Sequence, residues 1–188
     1  GFRLLVLSKG KSPINGDKYT DEVEALDFIV LQDHVKEDAA ATFKWFQENN
    51  VQVKVISGDN ALTVSEIARV AGINGAEKYV SLEGKSIEEV KAIANDYVVF
   101  GRVTPEQKEA LVIALREAKH TVAMVGDGVN DMLALKRADC SIAMNSGSLG
   151  ARNVSHVVLL DDNFSTMPSV VGEGRRVINN LQRTGSTT

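Results

Sequence analysis

At 188 residues the chain has the length of about one domain, on a prior of ~150 residues per domain, with a surplus too small for a second full one. Apolar residues make up 44% and charged residues 24%, the proportions of an ordinary globular chain, which disfavours disordered, collagen-like and coiled-coil classes. Lys and Arg number 21 against 25 Asp and Glu, a net charge of -4, and this balance supplies no polybasic surface for nucleic acid or for an acidic membrane.

The first strand signals are Phe2 to Leu7 and Leu26 to Gln32, joined by a loop or wide hairpin connection from Lys11 to Glu22 that carries Pro13 and Asn15-Gly16. From Val35 the pattern changes to alternating helical and strand periods. Ala39, Ala40, Phe43 and Phe46 recur at helical spacing, Asn49-Asn50 stops that helix, and Val51 to Ile56 reads as a strand. Leu62, Ser65, Ile67 and Val70 define a second helix ending at Gly72. A third carries Ile87, Val90, Ile93 and Ala94, and the apolar run Tyr97 to Phe100 follows. Thr104-Pro105-Glu106-Gln107 is a strong helix start: a Thr cap, Pro at the first position and Gln at the capping-box position, the cap alone contributing about 1 kcal/mol.

That helix runs through Leu111, Ala114, Leu115 and Ala118. Next come a strand over Thr121 to Val125, a helix over Asn130 to Arg137, strands over Ser141 to Met144 and Val157 to Leu160, and a last helix from about Thr166 to Gln182. Strands this apolar have no wet face, so the alternation implies a parallel sheet covered by helices on both sides. Cys140, alone in the apolar run Ala138 to Met144, is expected to be a buried structural thiol in a reducing compartment. No stretch approaches the ~18 apolar residues of a membrane span, and residues 1–20 lack the order of a signal peptide. By itself the segment reads as soluble.

Open parallel sheets place their ligands at the carboxyl ends of the strands, which directs attention to three loops. Ser57-Gly58-Asp59-Asn60 offers a hydroxyl, a flexible glycine and a carboxylate just before a helix, a layout that suits a phosphoryl group; a simple strand-to-helix turn capped by Asp59 or Asn60 explains the same residues. Gly126-Asp127-Gly128-Val129-Asn130-Asp131 has two carboxylates four apart with an Asn between them. That set suits Mg2+, which takes one or two carboxylates and keeps several waters, whereas a Ca2+ loop needs a bidentate Glu that is missing. An acidic turn is the bland alternative. Lys108 sits in a first helical turn, where a cation is disfavoured by the helix dipole; a solvated surface charge is the competing reading. Together the three loops offer the parts needed for phosphoryl transfer by positioning and charge neutralisation, without a nucleophile.

These residues resemble a family. Ser57-Gly58-Asp59, Arg102-Val103-Thr104-Pro105-Glu106-Gln107-Lys108, and Gly126 to Asp131 followed by Ala134-Leu135, Ala138-Asp139 and Ile142-Ala143-Met144, in this order and spacing, resemble the phosphorylation domain of P-type cation-transporting ATPases over about 150 residues. Val157 to Asp162, Asn163-Phe164 and Glu173-Gly174-Arg175 are similar to the segment that leaves this domain toward the fifth membrane helix. The resemblance implies an α/β fold of the haloacid-dehalogenase-like type, a parallel sheet sandwiched by helices. The family phosphorylates an aspartate within Asp-Lys-Thr-Gly-Thr, which this sequence lacks; Asp17-Lys18-Tyr19-Thr20 is a decoy without the Thr-Gly-Thr. The fold is therefore expected to lack its nucleophile-bearing strand and to carry an N-terminal two-strand appendage.

The resemblance further implies that Ser57 hydrogen-bonds phosphoryl oxygens, Lys108 neutralises their charge, and Asp127 binds Mg2+. Asn130 and Asp131 would support the phosphate, the Mg2+ waters and Lys108, while Gly58, Asp59 and Arg102 would face ATP. Asp33 begins a hinge that is often Asp-Pro-Pro-Arg in relatives and here reads Asp33-His34-Val35-Lys36, which removes an arginine contact and the proline stiffness. Met132-Leu133, in place of the Ala-Pro of heavy-metal members, leans weakly toward calcium- and magnesium-type pumps.

The expected organisation is residues 1–32 as terminal strands of a nucleotide-binding domain and hinge, 33–164 as the phosphorylation domain, and 165–188 as a stalk connection. The intact protein is expected in the cell membrane with this segment on the cytoplasmic side, and its partners would be ATP, a transported cation, the upstream nucleotide-binding and actuator domains and the membrane helices. The isolated segment is expected to be inactive. Without the central strand, two sheet edges are left to be closed by local rearrangement, by Phe2 to Leu7 or Leu26 to Gln32, or by strand exchange or dimerisation with a neighbouring chain. Two other classes remain: a non-catalytic nucleotide- or phosphate-binding α/β module, and a fragment of a soluble haloacid-dehalogenase-like phosphatase, which would need an Asp-x-Asp that no strand here supplies.

Overall fold

A computed structural model describes residues 2–11, 22–32, 35–174 and 176. The backbone divides into two units, Gly1–His34 and Val35–Thr188. In the first, β1 (Phe2–Gly10) and β2 (Val23–Gln32) form an antiparallel ladder with a register shift at Leu7/Ser8. Side chains alternate across a strand, and here both faces are apolar: Leu5 and Leu7 on one, Val6 and Phe28 on the other, all at least half exposed. The decoy Asp17 to Thr20, most of the predicted connecting loop and the Asp33-His34 hinge lie outside the described residues, as does the chain after residue 176.

The second unit holds α1 (Ala39–Glu48), β3 (Val55–Ile56), α2 (Ala61–Val70), β4 (Tyr79–Ser81), α3 (Ile87–Ile93) and β5 (Val99–Gly101). It continues with α4 (Pro105–Glu117), β6 (Ala123–Gly126), α5 (Met132–Arg137), β7 (Cys140–Met144), α6 (Leu149–Val154) and β8 (Val157–Leu159). All strand pairs in it are parallel. The single parallel sheet expected from the sequence is replaced by two, in the orders β3-β5-β4 and β6-β7-β8. β3 and β6 are thus outer strands, and among the described residues no strand pairs with their free edges. β1 and β2 are paired with each other in a sheet of their own.

Two helices tie the sheets into one unit. The face of α4 that carries Ala110, Leu111, Ala114 and Leu115 packs with Leu82, Val90 and Phe100 of the first sheet's core. On its other side Val112 joins Met124, Ala134 and Leu135 of the second. α1 inserts Phe46 against Ile142, Leu159 and Met167, with Phe43 touching both cores. Phe164 stands 5.9 Å from Phe43 and 5.7 Å from Phe46, ring centre to ring centre. Phe100, with no exposed surface, contributes about 2–3 kcal/mol by burial alone.

Local differences from the expected elements have physical causes. The strand expected over Val51 to Ile56 is ordered as a ladder only at Val55–Ile56, where among the described residues β5 is its one strand partner. The helix expected from Asn130 begins as a 3-10 turn over Val129–Asp131, because the Asp131 carboxylate draws in the amides before it. The last helix begins as a 3-10 turn at Phe164–Thr166 and is helical over residues 167–174. Cys140 is half-buried rather than fully buried. Among the described residues no helix is long and apolar enough to cross a membrane.

Candidate functional site

The carboxyl ends of β3, β5 and β6 carry the predicted loops, and two clusters form there. The first is built on the loop after β6. Lys108 Nζ donates to Asp131 Oδ1 at 2.7 Å, with 13% and 11% of the two side chains exposed. The other carboxylate oxygen, Oδ2, accepts the Gly128 N–H at 3.1 Å and the Asp127 N–H at 3.3 Å. A Cβ at Gly126 would stand 2.6 Å from the Asp131 Cβ, so only glycine lets the carboxylate come this close. Asp131 therefore fixes the loop and the lysine at once.

Lys108 is aimed by its own helix start. Thr104 Oγ1 accepts the Gln107 N–H at 3.3 Å, and Gln107 Oε1 accepts the Thr104 N–H at 3.1 Å. The buried Gln107 amide also donates to the Leu82 and Lys85 carbonyls, both at 2.9 Å. A capping residue is thereby turned into an anchor between α4 and the turn before α3. The cation in a first turn, unfavourable for the helix dipole, is compensated by the Asp131 carboxylate.

The second cluster contains Ser57, Gly58, Asp59 and Arg102. Ser57 Oγ accepts the Asp59 N–H at 3.1 Å. The Arg102 N–H donates to the Asp59 carbonyl at 2.8 Å, and the Val103 N–H to the Ser57 carbonyl at 3.1 Å. Arg102 sits at φ 53, a left-handed conformation that is uncommon for a non-glycine residue. Asn60, not Asp59, caps α2, its Oδ1 accepting from Leu62 and Thr63. Gly101 permits the contact, since a Cβ there would lie 2.4 Å from the Ala61 backbone.

Asp127 and Asn130 are exposed. Among the described residues neither side chain makes a hydrogen bond or ion pair with another predicted site residue. The Asp131 carboxylate is held by Lys108 and two amides, whereas the Asp127 carboxylate is exposed. No group of three or more His, Cys, Asp or Glu converges to hold a metal among the described residues. This donor set fits Mg2+, which binds through one or two carboxylates, several waters and phosphate oxygens rather than an all-protein cage. Sequence reasoning missed Gln107 as a buried anchor and the turn after β7, which packs on Asp127. The glycine and two serines of that turn, at the end of a parallel strand, were the available signal.

The family model of haloacid dehalogenase-like hydrolases matches residues 5–139. The chain is 45% identical over 183 residues to the calcium-transporting ATPase CtpE of Mycobacterium tuberculosis, covering 97% of this chain and 23% of that protein. It is 41% identical to the probable cation-transporting ATPase exp7 of Streptococcus pneumoniae, covering 96% of this chain and 24% of that protein. The chain thus spans about a quarter of the length of these relatives, and the resemblance to P-type cation-transporting ATPases read from its motifs is borne out. Among solved structures, a zinc-transporting PIB-type ATPase in an E2.Pi state superposes with a TM-score of 0.68 at 24% identity, covering 97% of this chain and 29% of the other. The catalytic domain of the CPx-ATPase CopB-B gives 0.59 at 22% identity, covering 88% and 57%. These two likenesses concern the fold.

Proposed function

The chain belongs to the haloacid dehalogenase-like hydrolase family, and on that premise we propose that it is the nucleophile-lacking part of the phosphorylation domain of a membrane-bound, ATP-driven cation pump. The observation that carries the reading is the Lys108–Asp131 pair, with Asp131 also holding the amides of Asp127 and Gly128. A largely buried ammonium on α4 and an exposed carboxylate on the loop after β6 are linked through Asp131, an arrangement suited to transfer of a phosphoryl group.

In this reading Lys108 neutralises the phosphoryl oxygens and Asp131 holds it in place. Ser57 donates its hydroxyl to the same oxygens. Asp127 would hold Mg2+, and Asn130 would support the phosphate and the waters of that ion. When bound, the metal supplies further neutralisation of phosphate charge. Gly58, Asp59 and Arg102, on the loop pair stitched together by backbone hydrogen bonds, face ATP. The acceptor aspartate comes from an upstream segment whose strand would fit between the free edges of β3 and β6; exchange with a second copy is the alternative way to cover them. Residues 1–32 then belong to the nucleotide-binding domain, 33–164 to the phosphorylation domain and 165–188 to the stalk, on the cytoplasmic side. The names of the mycobacterial relatives support calcium as the transported ion.

In the intact pump, Lys108→Ala and Asp127→Ala are expected to lower the rate of phosphoenzyme formation from labelled ATP by about 100-fold or more, the usual loss when one preorganised charge partner is removed. The 188-residue chain alone should acquire no acid-stable label. Wild-type labelling of either variant, or labelling of the chain alone, would overturn the assignment.

A further inference from the structure

The turn between β7 and α6 packs on the residue assigned to Mg2+. A Cβ at Gly147 would lie 2.8 Å from the Asp127 carbonyl oxygen, 3.0 Å from the Asp127 Cα and 3.0 Å from the Met144 carbonyl oxygen. All three are backbone atoms, which cannot swing aside as the end of a flexible side chain would. The Ser148 N–H donates to the Asp127 carbonyl at 2.7 Å. Asp127 is thus gripped at both ends of its own backbone, its N–H by the Asp131 carboxylate and its carbonyl by this turn.

The turn is pinned in its turn from β8. The Asn145 N–H donates to the Leu159 carbonyl at 3.0 Å, and the Ser146 N–H donates to Asp162 Oδ1 at 2.8 Å. Asp162 has φ 52, a left-handed conformation that Asp and Asn adopt more readily than other side chains.

We propose that the turn over residues 145–148 is a positioning element for Asp127, in which Gly147 sets how closely the turn approaches and Asp162 sets where it sits. The inference rests on the assignment of Asp127 to Mg2+. It makes Gly147 and Asp162 positioning residues, acting on a metal they do not touch. It also joins the exit of β8, from which the helix over residues 167–174 departs, to the metal ligand through successive contacts of Asp162, Ser146, Ser148 and Asp127. Partners that orient a metal ligand are typically worth 10- to 100-fold in affinity.

The test titrates the 188-residue chain with MgCl2 alone and follows the amide NMR shifts of Asp127 and Gly128. Gly147→Ala is expected to raise the half-saturating Mg2+ concentration about tenfold or more. Asp162→Ala should raise it as well, and Asp162→Asn, which keeps the Oδ1 acceptor and the tolerance of a left-handed backbone, should restore it. Ser86→Ala, which removes the α3 cap away from this turn, serves as the stability control: its thermal midpoint should fall while half-saturation stays unchanged. Wild-type half-saturation in Gly147→Ala or Asp162→Ala, or a shift in Ser86→Ala as large as theirs, overturns the proposal. If Gly147→Ala does not fold, the Asp162 pair decides. A wild-type chain whose amides ignore Mg2+ removes the Asp127 assignment and this inference with it, whereas a responsive wild type whose Gly147→Ala and Asp162→Ala variants keep its half-saturation removes the positioning role alone.

Discussion

Around Asp131 the candidate site is assembled by side chains; around Ser57 it is assembled by backbone. The first cluster buries an ion pair and uses both carboxylate oxygens of one residue. The second holds its turn through the Arg102 and Val103 amides, leaving Gly58, Asp59 and Arg102 exposed. The difference separates two kinds of requirement. Where a side chain is the structural hub, one substitution damages fold and chemistry together. Where the backbone is the hub, side chains can be chosen for a ligand alone, and only crowding of the backbone does structural harm.

Removing Asp131 gives the largest expected effect. Asp131→Ala leaves the Lys108 ammonium and two amides without their partner, and breaking a buried pair in this way costs about 3–5 kcal/mol. Lys108→Ala leaves the carboxylate with its two amide donors and is expected to cost about 1.5–3 kcal/mol. Urea unfolding of the two variants measures the asymmetry. Equal losses would mean that Asp131 is a simple ion-pair partner and not the hub of its loop.

The backbone-built half should fail differently. Ser57→Ala is expected within about 0.5 kcal/mol of wild type, because the amide–carbonyl bonds of its turn persist. Gly101→Ala forces a Cβ to within 2.4 Å of the Ala61 backbone and should cost about 1–3 kcal/mol by overpacking. The same denaturation experiment orders the pair, and a Ser57→Ala loss as large as that of Gly101→Ala would erase the contrast.

What could be read in the sequence follows the range of the interaction responsible. The start of α4 was legible because Thr104, Pro105 and Gln107 are neighbours, and the structure shows both capping hydrogen bonds. The loops at Ser57, Arg102 and Asp127 were legible as motifs at strand ends. β4 was not, since a three-residue edge strand with only Val80 turned partly inward has no period to detect. α6 was missed for the same want of length. The closeness of Gly147 to Asp127 depends on a parallel ladder between β6 and β7, and no local pattern encodes that. Nor does local pattern encode that the strands fall into two sheets; only the family resemblance, with its expected missing central strand, pointed to open edges.

The smallest expected effect concerns the other capping box, and it extends the contrast from the two clusters to the helices beneath them. In α3, Ser86 Oγ accepts the Glu89 N–H at 3.2 Å and Glu89 Oε2 accepts the Ser86 N–H at 2.8 Å. The Ser86 backbone N–H bond holds the Glu89 carboxyl below its ordinary value of 4.5. A carboxyl whose folded-state pKa is depressed binds its proton more readily in the unfolded chain, so its stabilisation is present above pH 4.5 and is lost as pH falls through the folded-state value. Wild type should therefore be more stable than Glu89→Ala at neutral pH, and the gap between their urea midpoints should close on acidification. The Thr104–Gln107 box of α4 uses a neutral amide and a buried anchor, so the deficit of Gln107→Ala should persist across the same range. A Glu89→Ala deficit that also persists to low pH would mean that the α3 cap, like that of α4, is held by packing and neutral hydrogen bonds rather than by the carboxylate's charge.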